Sequence, residues 1–250
     1  MEPGFVKTEI NTSGLAMITF SHPAHNALPA ALLRDLADQI QDAGSKKQIR
    51  LILLRSAGEK SFCAGASFDE LRAISDETAG KAFFSGFGRV INAMRRSPKL
   101  IIGRVQGRTV GGGVGLIAAC DYCLATENAA VRLSEIDLGI GPFVIAPAIE
   151  RKAGISALTV LSLNPTRFFD AYWAAQHGLF HGIHPDIAAL DAAVGELAAQ
   201  LTNKSQAALT ALKQTLWRGT GDWEELLDRQ AAISGRLIVG PEARSRLTKT

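Results

Sequence analysis

Residues 107–123 read GRTVGGGVGLIAACDYC. A triple glycine, a valine and a fourth glycine, Gly115, open a run too apolar to be a surface linker. Glycine carries a backbone entropy cost, and three in succession weaken any helix or strand that holds them. They are kept where the chain needs close approach or a conformation closed to other residues. The segment just before, KLIIGRVQG (99–107), is almost continuously apolar, the pattern of a strand buried on both faces. A buried strand therefore runs into a glycine turn, and the turn opens the helix VGLIAAC.

Outward from this block the same grammar repeats. GLAMITF (14–20) is strand-like and ends in SHPAHNALP, whose Pro and Asn mark a turn. Leu32, Leu33, Leu36 and Ile40 recur at helical spacing. IRLILLRS (49–56) is a second buried strand, and SFCAGASFDELRAI is a turn of small residues feeding a helix. YCLAT and AVRLS are two further short strands. Strands alternating with helices predict an α/β domain with parallel strands. Beyond about residue 150 the segments ALTVLSL, DAYWAAQHG, IAALDAAVGELAAQL and SQAALTALKQTLW favour helix, with Gly178 as a C-terminal stop.

The chain-wide numbers set limits. With 250 residues, 47% apolar and 20% charged, the chain can bury a large core. A net charge of +3 admits an anionic small ligand without indicating nucleic acid. The start MEPGFVKTEINTSG lacks a basic region followed by an apolar core, and no apolar stretch is long enough for a bilayer. Three cysteines, an odd number, argue against a disulfide framework. A soluble, cytoplasmic protein without membrane or nucleic-acid partners is the expectation. Cys120 and Cys123 read as buried structural thiols, and His177, His181 and His184 as loop histidines, so no metal is expected. RRSPKL, Arg104 and Arg108 read as a solvated basic rim.

Two turns carry chemistry. In FCAGAS (62–67) Ser67 can cap the following helix, with Glu70 at capping-box spacing. In Gly111–Gly113 the glycines open the next helix. Both would leave N–H groups bare at a helix N-terminus, where an anion is favoured. Two such turns after parallel strands can converge on one developing oxyanion; close helix–strand packing is the plainer use of the same glycines. No lysine follows them, so a Walker loop does not fit. Gly113 and Gly115 supply the first pair of a dinucleotide fingerprint, with Ala118 at the third position. In VRLSEIDLGIGPF (131–143), Glu135 follows a short apolar strand, where burial would raise its proton affinity as a general acid or base requires. A capping or salt-bridged role is the alternative.

Together HPAHNAL, SFCAGASFDEL, VQGRTVGGGVGLIAACDYCLAT and VRLSEIDLGIGP, in this order, resemble the enoyl-CoA hydratase/isomerase (crotonase) family across nearly the whole chain. The resemblance implies a spiral of ββα units in residues 1–195 and a helical oligomerisation region in 196–250, with trimers or dimers of trimers. It implies an acyl-CoA thioester substrate and no separate cofactor, coenzyme A entering with the substrate. Ala66 and Gly112 would donate the oxyanion-hole N–H groups, and Glu135 would move the proton. Ala24 and Ala64 would lie near the adenine, and Gly65, Gly111, Gly113 and Gly115 would complete the substrate-binding set.

Departures from the family pattern bear on the reaction. Family hydratases carry a second glutamate two positions past the third glycine, where this chain has Gly115. Ser67, Ser134 and Leu100 replace a common Asp, Pro and Pro, and Arg104 is a charge in a strand. A single carboxylate suits a proton shuttle between two carbons, as in the family's Δ3,Δ2-enoyl-CoA isomerases. Hydration, decarboxylation of a methylglutaconyl-type thioester, and a decayed RNA-binding or scaffolding role are the competing expectations.

Overall fold

A hairpin leads the chain: β1 (Phe5–Ile10) and β2 (Leu15–Ser21) pair antiparallel, and α1 (Ala30–Ser45) follows. The computed structural model describes residues 4–248. Met1–Pro3, part of the stretch MEPGFVKTEINTSG read above, and Lys249–Thr250 lie outside the described residues.

From here one unit recurs. β3 (Leu51–Ser56) and β4 (Ser61–Cys63) precede α2 (Phe68–Ala73) and α3 (Glu77–Arg96). β5 (Leu100–Val105) and β6 (Arg108–Val110) precede α4 (Gly112–Ala119). β7 (Tyr122–Thr126) and β8 (Ala130–Arg132) precede a one-turn 3-10 helix, Ile136–Leu138, and α5 (Ala146–Leu163). The last, shorter turn is β9 (Phe169–Asp170), α6 (Ala171–Gln176) and β10 (Gly182–His184). Four helices close the chain: α7 (Ile187–Thr202), α8 (Gln206–Leu216), α9 (Trp223–Ile238) and α10 (Pro241–Leu247).

Each of the three ββα units sends its first strand to one sheet and its second to another, and the last turn reverses that order. The large sheet has the order β1-β2-β3-β5-β7-β10 and is parallel from β2 onward. The small sheet has the order β4-β6-β8-β9, with only β8–β9 antiparallel. This is a spiral of ββα units. The apolar runs read from the sequence are the central strands of the large sheet, whose Leu51, Ile52, Leu54, Ile101 and Ile102 are all buried. Two sheets rather than one explain why the second strand of each pair is so short. It needs only enough length to aim the next turn at a common edge.

One expectation changes here. Arg104 is not on a solvated rim. It is buried in β5 and makes a two-pronged bond to Asp191 of α7, at 2.7 and 3.1 Å. Lys99 is buried as well, and Arg95 and Arg96 pair with Glu224. α7 also runs unbroken across 195–196, so no element ends at the division placed there. α9 packs back along α3 so closely that a Cβ on Gly80 would lie 2.7 Å from the Gly235 Cα. No helix among the described residues is long and apolar enough to cross a membrane.

Candidate active site

The first glycine turn is built by pairing across three segments. Leu28, at the end of the HPAHNAL turn, donates its N–H to the Gly65 carbonyl (2.8 Å) and accepts from the Ser67 N–H (3.3 Å). In such a parallel bridge the residue between the two partners turns its own N–H the other way. That residue is Ala66, and no carbonyl among the described residues accepts its N–H. Gly65 has φ +90, open to glycine and strained for other residues. Asn26 clamps the turn from behind, donating to the carbonyls of Ala57 (2.8 Å) and Ser61 (2.9 Å).

The second turn lies beside the first because β4 and β6 are parallel neighbours and end on the same edge. Gly111 adopts φ +54 and gives its N–H to the Arg132 carbonyl of β8 at 2.9 Å. The next N–H, that of Gly112, opens α4 and has no acceptor among the described residues. A Cβ built on Gly65 would sit 3.0 Å from the Val110 carbonyl and 3.7 Å from the Gly112 nitrogen, so the two turns touch. Ala66 and Gly112 both line one cavity. Two residues whose N–H groups lack an acceptor among the described residues, one of them at a helix N-terminus, thus line a common space.

Glu135 completes it. β6–β8 pairing and the Gly111–Arg132 bond bring the carboxyl against the second turn: a Cβ on Gly111 would lie 2.9 Å from Glu135 Oε1. Glu135 Oε2 is buried and has no hydrogen-bond partner. Burial pushes its pKa up to about 7, opposed in part by the N–H groups of Glu135 and Ser134 and by the Arg132 charge. Among the described residues lining the cavity, Glu135 is the only ionisable one. The remaining wall is largely apolar, with Phe84 and Phe87 from α3, Leu71 from α2, and Ile145.

Each expected site residue has a place. Ala64, Gly65, Ala66, Gly111, Gly112 and Glu135 line the cavity, and Ala24 and Ala64 line an adjoining outer cleft with Arg132 and Arg246. Gly113 and Gly115 do not line it. A Cβ on Gly113 would meet Cys63 Cβ at 2.7 Å, and one on Gly115 would meet Ile145 Cγ2 at 2.4 Å. Gly115 is therefore the seat of Ile145, whose side chain fills the space a side chain at 115 would take.

The capping box is half made. Ser67 Oγ accepts the Glu70 N–H at 3.4 Å, but Ser67 N–H is already spent on Leu28. Glu70 instead accepts the Ala30 N–H at 2.7 Å, tying α2 to the start of α1. The histidines are used separately: His177 stacks on Trp173, and His181 Nδ1 accepts the Cys123 N–H at 3.0 Å. Cys120 and Cys123 are buried with both sulfurs against Gly103. Among the described residues, no group of three His, Cys, Asp or Glu is gathered for a metal. Ile145, Phe87 and Ser234 of α9 line the cavity from segments that carry no motif.

The chain matches the enoyl-CoA hydratase/isomerase family over residues 10–237 and belongs to that family. It is 35% identical over 134 residues to the Bacillus subtilis enoyl-CoA hydratase/isomerase homologue YngF, covering 53% of this chain and 51% of that protein. The chain thus spans about half the length of this relative. It is 28% identical over 207 residues to the "(7aS)-7a-methyl-1,5-dioxo-2,3,5,6,7,7a-hexahydro-1H-indene-carboxyl-CoA hydrolase" of Mycobacterium tuberculosis, over 81% of this chain and 80% of that one. The enoyl-CoA hydratase of Bacillus halodurans shares the fold, with a TM-score of 0.88 over 98% of this chain and 99% of that one, at 23% identity.

Proposed function

We propose that the protein is an acyl-CoA enzyme of the isomerase type, moving a proton between C2 and C4 of a 3-enoyl thioester. The observation that carries this reading is one isolated, buried carboxyl beside two bare N–H groups. Ala66 and Gly112 N–H would hold the thioester oxygen as it gains charge on removal of a C2 proton, each such donor being worth about 10²–10³-fold in rate. Glu135 would take that proton and return it at C4. A pKa of about 7 suits both halves, since neither protonation state is strongly disfavoured at neutral pH.

The opposite wall argues against hydration. Adding water across a double bond needs a second polar group to hold the water, and at the place of the second family glutamate stands Gly115 under Ile145. The cavity also holds no cation among its described lining residues, so a second carboxylate on the acyl chain would be unpaired. That disfavours a methylglutaconyl-type substrate.

The test is a parallel assay of 3-hexenoyl-CoA, crotonyl-CoA and 3-methylglutaconyl-CoA. Conversion of the first to a 2-enoyl product, with little change in the others, is expected. Water addition to crotonyl-CoA at comparable kcat/KM would overturn the isomerase reading.

A further inference from the structure

α10 is seven residues long, yet it touches both walls of the proposed site. On one side it meets the turn that carries Glu135. The Glu135 carbonyl accepts the N–H groups of Leu138 and Ile140, both at 3.1 Å, and the turn closes at Gly139 with φ +78. A Cβ on Gly139 would lie 3.1 Å from the Ala243 nitrogen, so the α10 backbone rests on the turn. Arg246 Nη1 donates to the Asp137 carbonyl at 2.9 Å, with the Asp137 carboxylate 3.9 Å away.

On the other side α10 holds α2, the helix that begins two residues after Ala66. Arg244 donates to the carbonyls of Arg72 (3.1 Å) and Ile74, and Arg72 Nε donates to the Leu247 carbonyl at 3.1 Å. Ala243 and Leu247 are buried in the main core, which fixes the helix under these contacts. The distance between the N–H side and the carboxyl side of the cavity is thus bridged by one short segment. Arg246 and Asp137 also line the outer cleft that opens beside Ala66 and Ser134.

We propose that α10 is a strap that sets the spacing of Glu135 from Ala66, with Arg246 as a positioning residue for Glu135. The proposal rests on the reading of Glu135 as the proton-transfer group. The Arg246–Asp137 pair is half-exposed on both sides, so it adds little to stability. Its effect lies in holding the turn that carries the carboxyl. The charge that acts on the Glu135 carboxyl is Arg132 on β8, while Asp137 in the turn pairs with Arg246 on α10.

The test compares Arg246→Ala, Arg246→Lys and Glu135→Gln in the full chain, with 3-hexenoyl-CoA as the probe and Tm as the check on folding. Arg246→Ala should lower kcat by about tenfold or more, since small misplacements of a reacting group are costly, with KM and Tm little changed. A loosened turn would let water reach the buried carboxyl, which then ionises more readily, so the acid limb of kcat should move to lower pH. Arg246→Lys, which still reaches Asp137, should restore most of kcat. An Arg246→Ala enzyme with unchanged kcat and pH profile, beside an inactive Glu135→Gln, would overturn the strap and leave Glu135 in place. A fully active Glu135→Gln would overturn both.

Discussion

The two ends of α4 are treated in opposite ways. At its N-terminus the Gly112 N–H faces a cavity without an acceptor, and the neighbouring Glu135 carboxyl keeps an oxygen unpaired. Just past its C-terminus, side chains pair the carbonyls of Cys120 and Asp121 and the Asp121 carboxylate. Lys152 Nζ donates to the carbonyls of Cys120 and Asp121, at 2.9 Å each. The Asp121 carboxylate accepts from Lys213 Nζ (2.9 Å), Trp217 Nε1 (2.7 Å) and the Ile101 N–H (2.7 Å). One eight-residue helix thus holds a satisfied polar cluster that docks α8 onto the core, and an unsatisfied one shaped for a ligand. Buried polar groups are normally paired, so the unpaired end marks the place for chemistry.

Substitutions at the two ends should separate stability from activity. The largest stability effect is expected at the satisfied end. Asp121→Ala strips a partner from a buried ion pair whose side chains are only 4% and 2% exposed. It should cost about 3–5 kcal/mol, read as a fall in the denaturant midpoint. A loss below about 1 kcal/mol, the ceiling for a surface pair, would mean that the cluster does not lock α8.

A smaller effect is expected in the middle of the helix. Gly115→Ala drives a Cβ into Ile145 and should destabilise by about 1–3 kcal/mol. Adding Ile145→Gly should make the combined loss smaller than the sum of the two, because Cγ2 at 2.4 Å and Cβ at 2.6 Å are both in the way and both are removed. Additive losses in the double variant, measured by the same denaturation, would show that Gly115 is kept for another reason.

Much of this was legible in the sequence, and the failures have physical causes. YCLAT coincides with β7, and IRLILLRS and KLIIGRVQG contain β3 and β5, because strands buried on both faces read as continuous apolar runs. α3 is harder to find in the sequence, although Phe83, Phe84, Phe87, Val90, Ile91 and Met94 keep helical spacing. Its flanks carry no motif to draw attention to it. β1 gives a weak signal as well, since it is a hairpin edge whose Phe5 and Ile10 are exposed. Arg104 looked out of place in a strand because its partner Asp191 lies 87 residues on.

The site divides in the same way. Ala66, Gly112 and Glu135 sit in local turn signatures, so their positions could be named from short stretches. The wall formed by Phe87, Ile145 and Ser234 depends on how α3, α5 and α9 cross, which no local pattern encodes. The role of Gly115 fell between the two. Its missing side chain was visible, but the residue occupying the space was not.

The central claim is that one buried carboxyl moves the proton. The most direct measurement is kcat for 3-hexenoyl-CoA as a function of pH, in the wild-type protein and in Glu135→Gln. A base whose folded pKa is raised becomes competent only as pH climbs through that value. The wild type should therefore show a single rising limb near pH 7. Glu135→Gln should lose about 10²–10⁴-fold of the rate and the limb with it. A bell requiring a second group, or full turnover by Glu135→Gln, would contradict the account.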